Sequence, residues 1–282
     1  MNNLATDSEA PPIQIAMDKV SCADAPPAPT GRGGAQPRKQ MQMGARSCDS
    51  NNLHGLCPEP VPQRGYLIKL LRACTISAFI FQAQTSPLAF IALNRQSLNP
   101  GKLPPDWQIK VSHGRPDIST CSGPDGPCLR LKSASASFGL ERSVDVDLAQ
   151  MPYLTWTWKV AQLPPGGDFR HASTDDQAAQ VLLAFGERRV LSYIWDSTAP
   201  KGTVQSASFI PLLHVFDIVC ESGAADVNRW IAENHNVAAD YLRAYGKPAP
   251  RVKGLRIQIN SQHTGATAES YFGEVAFRSA PQ

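Results

Sequence analysis

From about Leu93 to the end, the chain is built of short runs in which every second residue is apolar. In YLTWTWKV, Leu154, Trp156 and Trp158 fall on one side and Thr155 and Thr157 on the other. In RVLSYIW, Leu191, Tyr193 and Trp195 align, and in GLRIQIN, Leu255, Ile257 and Ile259 oppose Arg256 and Gln258. A period of two belongs to strands, whose successive side chains point to opposite faces. DWQIKV, CLRLKSA, FGLERSVDV, AAQVLLAF, LHVFDIVC, NRWIAE and SYFGEVAF extend the series, with Gly, Pro, Asp and Ser between most runs. About ten short strands in about 190 residues predict an all-β fold, a jelly-roll-like β-sandwich over residues 93–282.

One helix is expected among the strands, near residues 237–245. In NVAADYLRAYG, Asn236 can accept the free N–H groups of a first turn, Gly246 can take the left-handed conformation at the end, and Pro248 blocks continuation. Val237, Tyr241 and Tyr245 recur at a spacing of four and would dock on the sandwich.

The part before the strands is different in kind. Residues 1–63, with stretches such as APPAPTGRGGAQPRKQ, have Pro, Gly and charge but few apolar residues at any period. Such a segment buries too little surface to offset the entropy of ordering, so it is expected to be a disordered leader. Residues 64–92 then run from a basic front (Arg64, Lys69, Arg72) through an apolar stretch, Ala73 to Phe81, to small residues including Ala83 and Ala89. That order is the order of a secretory signal peptide. The apolar run is too short for a membrane span, which needs about 20 residues. Its position after more than sixty residues points to a true translation start downstream of Met1. The mature protein is expected to begin between Gln82 and Leu93, in the periplasm or outside the cell, with no stable membrane span.

Charge excludes one class of partner. The net charge is +3, and the Lys and Arg are scattered, with no basic stripe interleaved with aromatics; nucleic acid is not expected as a ligand. No Cys/His spacing suggests zinc, and no GxGxxG, Walker loop, GxSxG or HExxH occurs.

The series LKSASASFGLERSVDVDLAQMPYLTWTWKVAQLPPGGD, DDQAAQVLLAF, SYIWDSTAPKGT, NVAADYLRAYGKPAPRVKGLRIQIN and TGATAESYFGEVAF resembles a bacterial family catalogued as domain of unknown function 3047, over roughly residues 94–278. The resemblance implies a β-sandwich and no established activity. The chain departs from the family pattern in one loop, with Asn260, Gln262 and His263 where acidic residues are expected before Thr264-Gly265. A cation held by that loop in relatives would lose its ligands here.

Three groups of residues are candidates for chemistry. The loop PPGGDFRHASTDDQ places Asp168, His171, Asp175 and Asp176 just before a strand; loops at sandwich ends are where sites sit. Asp168, Asp175 and Asp176 offer hard oxygens to a Ca²⁺, or acceptors to sugar hydroxyls. The alternative is that Asp175 and Asp176 bond backbone N–H groups at the start of the strand. The aromatics Trp156, Trp158, Tyr193, Trp195, Trp230 and Tyr271 either fill the core or stack on sugar rings; Trp195, at the end of its strand, is the one placed to face a cleft, and Glu269 is a second acidic candidate. Cys121 and Cys128 bracket the turn segment SGPDGP and would close a disulfide in an oxidising compartment. Cys220 reads as a buried small hydrophobe, and His214, His235 and His263 read as structural or solvent-facing. The resulting expectation is an exported, non-catalytic carbohydrate-binding module needing no cofactor beyond a possible Ca²⁺. The alternatives are a hydrolase or lyase of cell-envelope polysaccharide using the 168–176 loop, and an envelope scaffold that binds protein.

Overall fold

A computed structural model describes residues 88–207 and 212–282. The leader, and the signal-like segment except for its last residues, lie outside the described part. Thirteen strands and one helix follow in the order β1 (Ala89–Leu93), β2 (Gln108–His113), β3 (Ile118–Gly123), β4 (Gly126–Ala134), β5 (Ser137–Val146), β6 (Tyr153–Gln162), β7 (Gln177–Phe185), β8 (Arg189–Asp196), β9 (Val204–Ser206), β10 (His214–Ser222), β11 (Ile231–Asn236), α1 (Val237–Tyr245), β12 (Val252–Asn260) and β13 (Thr267–Arg278). They form two sheets, one of six strands ordered β11-β6-β13-β4-β3 with β1 also on β13, and one of seven ordered β2-β5-β12-β7-β8-β10-β9. The long β13 shares one edge between two partners: its first half pairs with β4 and its second half with β1. The β8–β10 pair is parallel and the rest are antiparallel.

The fold is the expected β-sandwich, and all ten strands read from the alternation are present. Three more were not visible in the pattern. β3 is largely polar, β9 has three residues, and β1 overlaps the end of the signal-like segment. β1 begins at Ala89, and Ala92 and Leu93 are buried. The sandwich therefore starts before residue 93.

The alternation builds the core. Trp156 and Trp158 of the six-stranded sheet face Tyr193 and Trp195 of the seven-stranded sheet, with ring centroids 5.2 Å apart for Trp156–Tyr193 and 6.0 Å for Trp158–Trp195. All four are buried, as are Leu255, Ile257 and Ile259 on the same core face of the seven-stranded sheet, two strands from Tyr193 and Trp195. Each such aromatic removes a large apolar area from water. The helix spans the predicted residues. The Asn236 side chain accepts the N–H of Ala239 at 3.0 Å, and Gly246 closes the helix with φ 68°. Tyr241 packs on Phe185 at 4.6 Å, which seats α1 against the sandwich.

Candidate functional site

The seven-stranded sheet turns one face to the aromatic core. Alternation then sends Arg256 and Gln258 of β12, Gln180 of β7, Glu141 of β5 and Asp217 of β10 to its other face. A bulge in β7 between Gln177 and Ala179 adds Gln177 to that face, because the extra residue shifts the parity of the strand. Gly139, which pairs with both Gln258 and Lys110, puts no side chain between them; a Cβ there would lie 2.2 Å from the Ile257 carbonyl.

These side chains form one polar row across the sheet. Gln177 donates to Asp175 Oδ1 at 2.8 Å, Gln180 to Gln177 Oε1 at 2.8 Å, and Gln258 to Gln180 Oε1 at 3.5 Å. Arg256 reaches Gln258 Oε1 at 3.4 Å and Glu141 Oε2 through Nε at 3.1 Å and Nη2 at 2.5 Å. Lys110 closes the row, 3.4 Å from Glu141 Oε1. Every amide points the same way, donating toward Asp175 and accepting from the guanidinium side. Such alignment lets each bond polarise the next. The middle of the row is buried, with Gln258, Gln180 and Gln177 each at most 4 % exposed. Asp175, Glu141 and Lys110, at its two ends, are partly exposed.

Two carboxyls on this face are hard to ionise. Burial pushes Asp175 up to about 6 against the pull of the Gln177 hydrogen bond and His263. Burial drives Asp217 well above the ordinary carboxylate range, and the charges of Asp175 and Asp196 add to it. Asp217 sits opposite Ser192 in the β10–β8 register. Desolvation penalises the charged form and like charges compound it.

The structure separates the residues that sequence grouped. Asp176 is fully buried and accepts the backbone N–H groups of His263 at 3.1 Å and Thr264 at 2.6 Å, so it holds the β12–β13 loop rather than a ligand. Asp168 is gripped by the Arg170 guanidinium, Nε to Oδ1 2.7 Å and Nη2 to Oδ2 2.6 Å. With each aspartate turned to its own partner, Asp168, Asp175 and Asp176 do not converge on a common Ca²⁺. His171 is exposed, in the turn before Asp175. Trp195 corrects the expectation of a cleft-facing ring: it is 0 % exposed and its indole N–H donates to the Gly223 carbonyl at 3.1 Å, leaving no face for a sugar. Glu269 lies on the outer face of the other sheet, paired with Arg130 at 2.8 Å and Tyr271 at 2.5 Å. Trp230 and Tyr271 are partly exposed there with Lys159 over the Tyr271 ring at 4.2 Å. Cys121 and Cys128 face each other in the β3–β4 pair and are joined in a disulfide.

Sequence reasoning saw Arg256 and Gln258 as the polar side of their strand but not as part of a site. Gln177 could not be placed, because alternation alone does not announce a bulge. Asp217 was hidden in the apolar run HVFDIVC.

Fold and face together define a two-sheet β-sandwich carrying a hydrogen-bonded polar row on one outer face. The chain belongs to the family described as Protein of unknown function (DUF3047), whose model matches residues 106–276. Comparison with curated proteins finds no match. Among solved structures, the chain is similar to the xyloglucanase domain of NopAA, a type three effector from Sinorhizobium fredii, in complex with cellobiose. The two are 9 % identical over 62 % of this chain and 93 % of that one, with a TM-score of 0.41. It is also similar to endoglucanase cel12A from Rhodothermus marinus (8 %, 69 % and 100 %, 0.40) and to the family 11 carbohydrate-binding module of cellulase Lic26A-Cel5E of Clostridium thermocellum (7 %, 68 % and 95 %, 0.35). At these scores the likenesses carry no functional argument.

Proposed function

We propose that this chain is an exported carbohydrate-binding protein whose ligand meets the seven-stranded sheet at the partly exposed ends of the polar row, Asp175 at one and Glu141 with Lys110 at the other. The observation that carries the reading is the unbroken chain of amides, guanidinium and carboxylates from Asp175 to Lys110. Sugar hydroxyls both donate and accept, so the carboxylates of Asp175 and Glu141 and the ammonium of Lys110 can meet them, while the buried amides and guanidinium hold those end groups in place. Side chains already fixed by their neighbours lose little freedom on binding, which favours affinity. Export is supported by the basic, apolar and small order of residues 64–92 and by the Cys121–Cys128 bond, which suits an oxidising compartment. A glycan array probed with the full chain tests the reading. Binding to a defined glycan class is the expected result, and an array without signal at high protein concentration contradicts it.

One observation favours a second reading, a hydrolase of envelope polysaccharide. Asp175 and Asp217 share the face and are both held toward the protonated form, as a general acid must be. Release of reducing sugar from envelope polysaccharide, lost in Asp175→Asn and in Asp217→Asn, would establish this reading over simple binding. Binding without any product release would leave the module reading standing.

A further inference from the structure

We propose that Cys220, Glu233 and His235 form a site for one divalent transition metal ion of the zinc type. The site is separate from the polar row and lies on the core side of the sheets, at the edge formed by β11. Register places it there. Glu233 pairs with Trp156 and His235 with Leu154 across β11–β6, so both point inward with those apolar residues. A bulge in β10 between Val219 and Glu221 interrupts its pairing with β8 at Cys220, which is buried in the core.

The three donor atoms converge. Cys220 Sγ lies 3.4 Å from His235 Nε2, Glu233 Oε2 lies 3.3 Å from the same nitrogen, and all three lie within 4.8 Å of one another. Ligands about 2.0–2.3 Å from a tetrahedral ion stand about 3.5 Å apart, so only small adjustments would bring them onto one ion. The other imidazole nitrogen, Nδ1, faces Asp240 Oδ2 at 3.6 Å, and that oxygen accepts the Tyr193 hydroxyl at 3.0 Å. A carboxylate behind a histidine, itself held by a further hydrogen bond, is the usual support of a metal-bound imidazole. Trp156 stacks on the His235 ring at 5.3 Å and 22°, fixing its plane. Glu233 also keeps a second oxygen, Oε1, that is buried and has no hydrogen-bond partner; a buried acceptor without a partner calls for an ion or a donor.

The donor set selects the ion. A thiolate, an imidazole and a carboxylate suit zinc or cobalt, whereas calcium and magnesium take oxygen ligands. Three protein ligands leave a fourth position for water or an incoming group, the arrangement of sites that keep an open position.

Cobalt titration tests the site directly. The probe is Co²⁺ alone, added to metal-stripped full chain with Cys22, Cys48, Cys57 and Cys74 replaced by serine, so that Cys220 is the one thiol outside the disulfide. The expected result is one equivalent of Co²⁺ bound with a near-ultraviolet thiolate-to-cobalt band that equimolar Zn²⁺ abolishes. Cys220→Ser should remove the band, Glu233→Gln should weaken binding while the band persists at saturation, and Asp240→Asn should weaken binding about 10–100-fold. A melting curve and circular dichroism spectrum on each variant confirm folding. No band in the folded parent at millimolar Co²⁺, or a band that survives in folded Cys220→Ser, overturns the proposal. Should Cys220→Ser fail to fold, the parent titration and a folded Glu233→Gln decide alone: unchanged affinity in Glu233→Gln also overturns it.

Discussion

Asp175 and Asp176 are adjacent in the chain and opposite in electrostatics. Burial raises Asp175 to about 6. Asp176 is fully enclosed, but hydrogen bonds from the His263 side chain and from the backbone at Thr264 and His263 outweigh burial and hold its carboxyl below the usual range. The two therefore act on stability with opposite sign. A depressed carboxyl adds stability above its unfolded pKa and loses it as pH falls through the folded value. A raised one adds stability below its unfolded pKa and loses it as pH rises from about 4 to about 6. Asp176→Asn should cost about 1.5–3 kcal/mol at pH 7, the worth of charge-assisted bonds to buried N–H groups. Asp175→Asn should melt at or above the parent at pH 8 and close to it at pH 4. Denaturant melts of both variants at the two pH values check this; a large loss for Asp175→Asn at pH 8 would contradict it.

Leu183 points from β7 into the core and is fully buried. Leu183→Ala leaves a cavity among packed side chains and should cost about 2–5 kcal/mol. Urea unfolding measures it, and a loss under 1 kcal/mol would mean that the core relaxes around the gap.

The Cys121–Cys128 bond closes a short loop between adjacent strands. Restricting the unfolded chain in this way contributes about 2–3 kcal/mol. Alkylation of native and of denatured, unreduced protein, read by mass spectrometry, should leave both residues unmodified. Buried Cys220 should react only after denaturation.

The expected start of the mature protein can be narrowed. β1 begins at Ala89, and its pairing with β13 and the buried Ala92 and Leu93 belong to the fold. Cleavage between Gln82 and Ala89 is therefore expected, since a cut beyond Ala89 would remove an edge strand. N-terminal sequencing of protein from the native cells checks this, and an intact cytoplasmic chain starting at Met1 would refute export.

Much of the fold was legible because a period of two is a direct record of which side chains face the core. Trp156, Trp158, Tyr193 and Trp195 are where the alternation puts them, and the Asn236 and Gly246 caps delimit α1 to the residue. What alternation cannot report is pairing between distant strands. The polar row needs β5, β12 and β7 side by side, with contacts spanning 115 and 78 positions, and the metal-type cluster needs β10 beside β11 across two sheets. Single-sequence reasoning found Asp175 from its loop but joined it to Asp168, Asp176 and Trp195, neighbours in the chain or in the strand pattern whose hydrogen bonds go elsewhere.

The most direct test of the carbohydrate reading is titration calorimetry of the full chain against the best glycan from the array, with Glu141→Gln and Asp175→Asn in parallel. The account predicts one site in the parent and affinity reduced by about tenfold or more in each variant, the worth of one lost strong hydrogen bond. Melting curves should show both variants folded. Unchanged affinity in both folded variants, or no heat with any glycan at millimolar concentration, would contradict it.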